Sequence, residues 1–234
     1  MRPNDAPQAP PLRDPLLGVR YVTLLLLCCA CAGKQVRHDE MPPPPREQVS
    51  EEALAPLGNI DAVLSAARAH LGKTTVRVNG RSFRYDCSGF VRGMFWAAGI
   101  DLMGEGSEDD ENGVRTLFRY VEKHGQNHFR KLPQKGDLIY FDNTWDMNGN
   151  GKLDDPLTHV GIVEQVGADG TLQIIHRANH GIVRETMNLL RPHDEKVNAV
   201  LRAKGRRDPP GTEHLMSELF AGFGTVRSDR HASR

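Results

Sequence analysis

Cysteine is scarce in this chain and poorly distributed for a disulfide framework. The 234 residues include 4 cysteines, and Cys28, Cys29 and Cys31 sit together near the start. Cys87 is the only one beyond residue 31, so the bulk of the chain offers it no partner and disulfide stapling is excluded there. Charge of one sign is also lacking. Lys+Arg and Asp+Glu both number 30, which removes the electrostatic case for nucleic-acid binding. A long apolar run is missing too. The stretch from Tyr21 to Gly33 falls short of the ~20 apolar residues that a spanning helix needs.

What is present begins with the surroundings of Cys87. It stands in Tyr85-Asp86-Cys87-Ser88-Gly89-Phe90, where Phe90, Val91, Met94, Phe95 and Ala98 start a helical pattern that Gly99 ends. A thiol in the first turn of a helix meets unpaired backbone N–H groups, which favour the nucleophilic thiolate. A lone cysteine is more often a small buried hydrophobe. Two histidines downstream reverse that reading.

Thr158–Val166 and Thr171–His176 are β-branched runs around Gly167-Ala168-Asp169-Gly170, a hairpin pattern. If Val166 faces Thr171, then Gly161 faces His176. Alternation puts His159 on the face of Gly161, so His159 and His176 become diagonal neighbours, roughly 7–8 Å apart at Cα. Glycine leaves the space between them open. A slip of one residue would send His176 to the other face. In this arrangement Cys87 is the nucleophile, His159 its base and His176 the group that orients the base.

Other elements surround this core pattern. Ile60–Leu71 reads as an amphipathic helix with Asn59 at its N-cap and Gly72 at its end, and Val114–Val121 as a second helical face ending near Gly125. Between them, Gly104–Asn112 reads as an acidic, solvated loop. Asp137–Phe141, Ile182–Thr186 and Val197–Arg202 are further strand candidates. Helices first and strands afterwards predict an α+β fold with an antiparallel sheet.

Asp146, Asn148 and Asn150 alternate before Gly151, as in the first half of a calcium loop, with Asp154 or Asp155 able to close it. Leu157 stands where a bidentate glutamate belongs. An Asx-rich surface turn is the competing reading, and calcium, if bound, is structural.

The segment with Arg13 and Arg20 before a leucine run reads as a secretory leader through residue 31. Small residues beside cysteine resemble a lipoprotein signal, with Cys31 as the lipidated residue and Cys29 or Cys28 as substitutes. A short signal anchor is the alternative. Residues 32–57, with four consecutive prolines, read as a tether. Residues 58–204 form the expected catalytic domain. Residues 205–234 read as a flexible basic tail in which Leu215, Met216, Leu219, Phe220 and Phe223 could form a short helix.

Asp86-Cys87-Ser88-Gly89-Phe90-Val91, Lys135–Phe141, Thr158–Val163 and Ile175-His176-Arg177-Ala178 occur in the order seen in the NlpC-type (NlpC/p-sixty) cysteine peptidases. Ala66-Arg68-Leu71-Gly72 resembles the helix leading into that core. The resemblance covers about residues 58–203. It implies a papain-like fold, with N-terminal helices packed on an antiparallel β-sheet, and a thiol peptidase acting on bacterial cell-wall peptides. The same three residues, Cys87, His159 and His176, are implied as the catalytic set. The family's tyrosine about a dozen residues before the cysteine, which helps to stabilise the oxyanion, has no counterpart in Thr74–Gly80. Tyr85 could substitute or could simply pack.

The expected activity is therefore hydrolysis of amide bonds in peptidoglycan stem peptides, at a γ-D-glutamyl bond to a diamino acid. Asp86, Ser88 and Tyr85 would contact substrate, although helix capping is the simpler role for Asp86. The chemistry requires no cofactor. The expected protein is a monomer, exported and lipid-anchored, facing the periplasm from the outer rather than the inner membrane. No wall-targeting module is visible. The alternative is a catalytically weak envelope lipoprotein that binds wall or a partner through the same cleft; a hydrolase or acyltransferase acting on a non-wall amide or ester is a third.

Overall fold

The computed structural model describes residues 59–103, 112–206 and 208–227. The leader with Cys31, the tether and most of the acidic loop lie outside these residues. Three helices precede most of the sheet: α1 Ile60–Ala69, α2 Cys87–Ala97 and α3 Gly113–His124. A small hairpin, β1 Val76–Val78 and β2 Arg81–Phe83, separates the first two helices. The chain continues from α3 into β3 Gly125–His128, then β4 Leu138–Phe141, β5 His159–Val166, β6 Leu172–Ala178, β7 Gly181–Met187 and β8 Phe220–Val226. The large sheet is antiparallel in the order β3-β8-β4-β5-β6-β7. The fold is α+β, as expected.

Period-two alternation divides the core between the two faces of this sheet. Leu138, Tyr140, Val160, Ile162 and Ile175 pack with Val63, Leu64, Phe90, Met94, Phe95, Leu117 and Val121 of the helices. Ile139, Phe141, Val163, Leu172 and Ile174 join Met187, Met216, Leu219 and Phe223 in a second cluster. The central strands are therefore buried on both sides, and their near-continuous apolar sequence follows from that.

The C-terminal segment departs from the sequence expectation. Residues 205–234 do not form a flexible tail with a short helix over their described part. Phe220–Val226 is a strand between β3 and β4, with Phe223 fully buried. The i, i+3, i+4 spacing of Met216, Leu219 and Phe220 suggests a helix, but Met216 and Leu219 instead cover the second face of the sheet, and Leu215 is buried beside them in the chain. Val197–Arg202 is not a strand either. It makes an isolated bridge, Val200 to Leu215, and Ala199 N–H donates to the Thr186 carbonyl. At α1, Asn59 occupies the N-cap position but its side chain makes no capping bond.

Candidate active site

The nucleophile candidate begins α2 because the preceding residue caps it. Asp86 is extended, and its carboxylate accepts from Gly89 N–H at 2.7 Å and from Ser88 Oγ at 2.9 Å. Gly89 has no alternative at this turn, since a Cβ there would lie 2.1 Å from the Arg84 carbonyl oxygen. Cys87 thus occupies the first helical position. The N–H groups of Cys87, Ser88 and, from β5, Val160 point at its sulfur and lower its pKa. The last of these places the thiol beside the residue that follows His159.

The two imidazoles meet as the alternation predicts. Gly161 is opposite His176, and His159 Nε2 lies 2.9 Å from His176 Nδ1, with the rings perpendicular at 89°. The route to this register differs from the expected one. The turn closes with Val166 opposite Leu172 rather than Thr171, an offset of one residue. A bulge between Val163 and Gln165 absorbs the offset before it reaches Gly161. Its extra residue, Glu164, is held by Arg68 of α1 at 2.6 Å and by both Nε and Nη2 of Arg184 on β7. These two bridges hold the carboxyl of Glu164 below its ordinary range, the Arg184 bonds contributing most.

Gly161 keeps the imidazoles together. A Cβ there would sit 2.8 Å from Ile174 Cγ2 and 3.1 Å from His176 Cβ. Gly161→Ala is expected to push His176 away from His159 and to lower kcat by about 10–100-fold, since misplacement on the ångström scale has that cost. Overpacking would lower stability by only about 1–3 kcal/mol. Steady-state kinetics beside a thermal melt check this.

Cys87, His159 and His176 line one cavity of about 420 Å³ with Asp86, Thr144, Trp145, Arg177, His180, Glu185 and residues 200, 201 and 203. Glu185 is not singled out by the sequence pattern. It follows Val183, which pairs with His176, by two residues, and its carboxylate lies 2.9 Å from His176 Nε2. Extending the hairpin register through the Asn179-His180 turn would have found it.

Of the three expected substrate contacts, only Asp86 lines the cavity, and it also caps the helix. Ser88 turns its hydroxyl to Asp86. Tyr85 donates its hydroxyl to the Lys73 carbonyl at 3.0 Å, and its ring carries the Arg177 guanidinium at 4.5 Å. It supports the cleft wall rather than replacing the missing upstream tyrosine.

Electrostatics favour an uncharged resting pair. Burial pushes the Cys87 thiol up to about 11, with the Asp86 charge adding to the effect, and this outweighs the backbone N–H groups of the helix start. The thiolate expected from sequence is thus not the resting form. Burial, then the neighbouring His176 and Arg177, holds His159 well below the ordinary imidazole value. A neutral thiol beside a neutral imidazole can react when the proton moves as the sulfur attacks.

The calcium candidates do come together. Asn148 and Asn150 both direct Nδ2 to Asp154 Oδ1, at 3.1 and 3.0 Å, while Asp146 accepts from Asn150 N–H and Gly151 N–H. Asp155 is buried and anchors Met147 N–H and Asn148 N–H. Among the described residues no three His, Cys, Asp or Glu side chains form a metal-binding group, so any cation here would need the asparagine oxygens. Also among the described residues, no helix is long and apolar enough to cross a membrane.

The chain matches the model of the NlpC/P60 family over residues 72–199, more than half of its length. No curated protein matches it.

Proposed function

Because this chain belongs to the NlpC/P60 family of cell-wall peptidases and amidases, we propose that it cleaves peptidoglycan stem peptides through Cys87, His159 and His176, at γ-D-glutamyl bonds to a diamino acid. The observation that carries the proposal is the 2.9 Å bond between His159 Nε2 and His176 Nδ1 in a cleft that Cys87 also lines. Cys87 Sγ attacks the amide carbonyl while His159 takes its proton. The N–H of Cys87 would supply one donor to the developing oxyanion. His159 then gives the proton to the leaving amine as the C–N bond breaks, which leaves a thioester. Water, deprotonated by His159, attacks the thioester and returns the thiol. Arg177, which lines the cleft, suits a stem-peptide carboxylate.

Mass spectrometry of products from purified wall fragments tests the reading, with the expected new termini at D-glutamate and the diamino acid. Products with other termini would replace the proposed bond. No cofactor is needed for these steps. Calcium held by Asp146, Asn148, Asn150 and Asp154 would order the loop leading into His159, so the digestion is compared with and without a chelator. Lipidation at Cys31 would hold the domain at the periplasmic face of the outer membrane. Loss of fatty-acid labelling in Cys31→Ser checks that step.

The depressed basicity of His159 sets the pH dependence. His159 is neutral and able to accept a proton above its folded pKa, which lies below 6.5. The kcat/KM plateau should therefore extend below pH 6.5 and fall only as acidity passes the lowered value. A profile that already declines at pH 7 would contradict this assignment of the base. The raised thiol and the missing upstream tyrosine favour the second reading, a weakly active envelope lipoprotein that binds wall through this cleft. Alkylation separates the two: a paired thiol reacts on a plateau through neutral pH, whereas an unpaired one reacts only as pH approaches 11.

A further inference from the structure

The hydrogen-bonded chain does not end at His176. That residue is fully buried and uses both ring nitrogens, Nδ1 toward His159 Nε2 and Nε2 toward Glu185 Oε2, each at 2.9 Å. We propose that Glu185 is a positioning residue that sets the direction of every proton in this chain and so leaves the Nδ1 lone pair of His159 as the base. The proposal rests on the reading of Cys87, His159 and His176 as the reactive centre and adds a fourth residue to it.

The donor and acceptor inventory allows one arrangement. A neutral imidazole has one N–H and one lone pair, and an ionised carboxylate only accepts. Facing Glu185, His176 Nε2 carries the hydrogen, so its Nδ1 presents a lone pair. The partner of that lone pair is His159 Nε2, which must donate. The lone pair of His159 is then on Nδ1, the nitrogen left for the thiol. Without the carboxylate the chain can reverse. His176 Nδ1–H would donate to His159 Nε2, and His159 would hold its hydrogen on Nδ1, where no further proton can be taken.

Glu185 also acts through its charge. When His159 accepts the proton of Cys87, its new cation is relayed through His176 to an anion. Arg177 on β6 opposes that cation. Asp86 at the N-cap of α2 and His180 in the β6–β7 turn also line the cavity. Glu185 is the carboxylate that the imidazole pair contacts through a hydrogen bond. Its neighbour in the strand, Arg184, is taken by Glu164.

The test compares Glu185→Gln and Glu185→Asp with the unaltered protein. Glutamine has the same shape but can offer either an oxygen or an NH₂ to His176, so both proton directions become available. In Glu185→Gln, kcat on wall fragments should fall by roughly 10–100-fold with KM little changed, as for loss of an imidazole's outer partner. Iodoacetamide labelling of Cys87 should show a lower plateau and an acid limb displaced to lower pH, because a less stabilised imidazolium is more acidic. Glu185→Asp retains the anion and should recover part of kcat and the original limb. β7 is an edge strand and Glu185 keeps 22% of its side-chain surface exposed, so neither change should shift the melting temperature appreciably. Glu185→Gln with unaltered kcat and labelling profile would overturn the role of Glu185 alone. If the unaltered protein releases nothing and labels only near pH 11, the reactive centre itself fails, and the role of Glu185 with it.

Discussion

Cys87→Ala protein should release no stem-peptide fragments at a rate distinguishable from a blank, a fall in kcat of about 10⁴-fold or more, as for loss of a catalytic nucleophile. The variant removes one sulfur atom and with it the thioester, while the two imidazoles and the cleft remain. Cys87→Ser should be nearly as inactive. A hydroxyl is far less acidic than a thiol, and His159 is already a weakened base. Folding should survive, because Asp86 still caps α2 through Gly89 N–H and the buried core residues of the helix are Phe90, Val91, Met94 and Phe95. Product analysis by mass spectrometry, beside a thermal melt of each variant, checks both halves of the expectation. Fragments released at an undiminished rate by Cys87→Ala would show that another group performs the attack.

Ending the chain after Ala199 should leave a domain that does not fold cooperatively, although the family match ends at that residue. The deletion removes Leu215, Met216, Leu219, Phe223 and Val226, all at most 3% exposed. Truncating buried side chains of this size costs roughly 2–5 kcal/mol each, so the combined loss exceeds the ~5–15 kcal/mol margin of a typical domain. It also strips β8 from between β3 and β4, leaving the backbone of β4 unpaired on one side and β3 without its partner. The cleft wall formed by residues 200, 201 and 203 goes with it. Circular dichroism and thermal unfolding would show the result. A cooperative melt close to that of the full chain would contradict the central place given to β8.

The parts of the fold that were legible in sequence were those whose pattern and burial agree. Val63, Leu64 and Ala67 mark the inward face of α1, and Phe90, Val91, Met94 and Phe95 that of α2. The hairpin of β5 and β6 placed Gly161 against His176 correctly. It did so although the turn register was off by one, because the bulge at Glu164 is invisible to an alternation count. A buried carboxylate inside an apolar strand was the available sign, and its explanation, two arginines from distant elements, is tertiary.

β8 was illegible for a different reason. In its sequence, Phe-Ala-Gly-Phe-Gly-Thr-Val, Phe220 and Phe223 continue the helical spacing of Leu215, Met216 and Leu219, and two glycines leave no strand alternation to read. Gly224 is there to admit a neighbour: a Cβ would lie 2.7 Å from the Tyr140 hydroxyl and 3.0 Å from Asn127 Oδ1. The short β1, β2 and β3 strands carry too few residues for any period to register. Glu185 is not legible in the sequence because its partner lies on an adjacent strand, across a second turn.

The sheet also has a direction in time. Of its strands, the one inserted beside β4 is the last to leave the ribosome, so β3 and β4 must wait with a gap between them until it arrives. A nascent chain already carries its thiol and both rings, yet the platform that brings them to bear is unfinished. The sheet that carries both rings is thereby complete only once that final strand has been made.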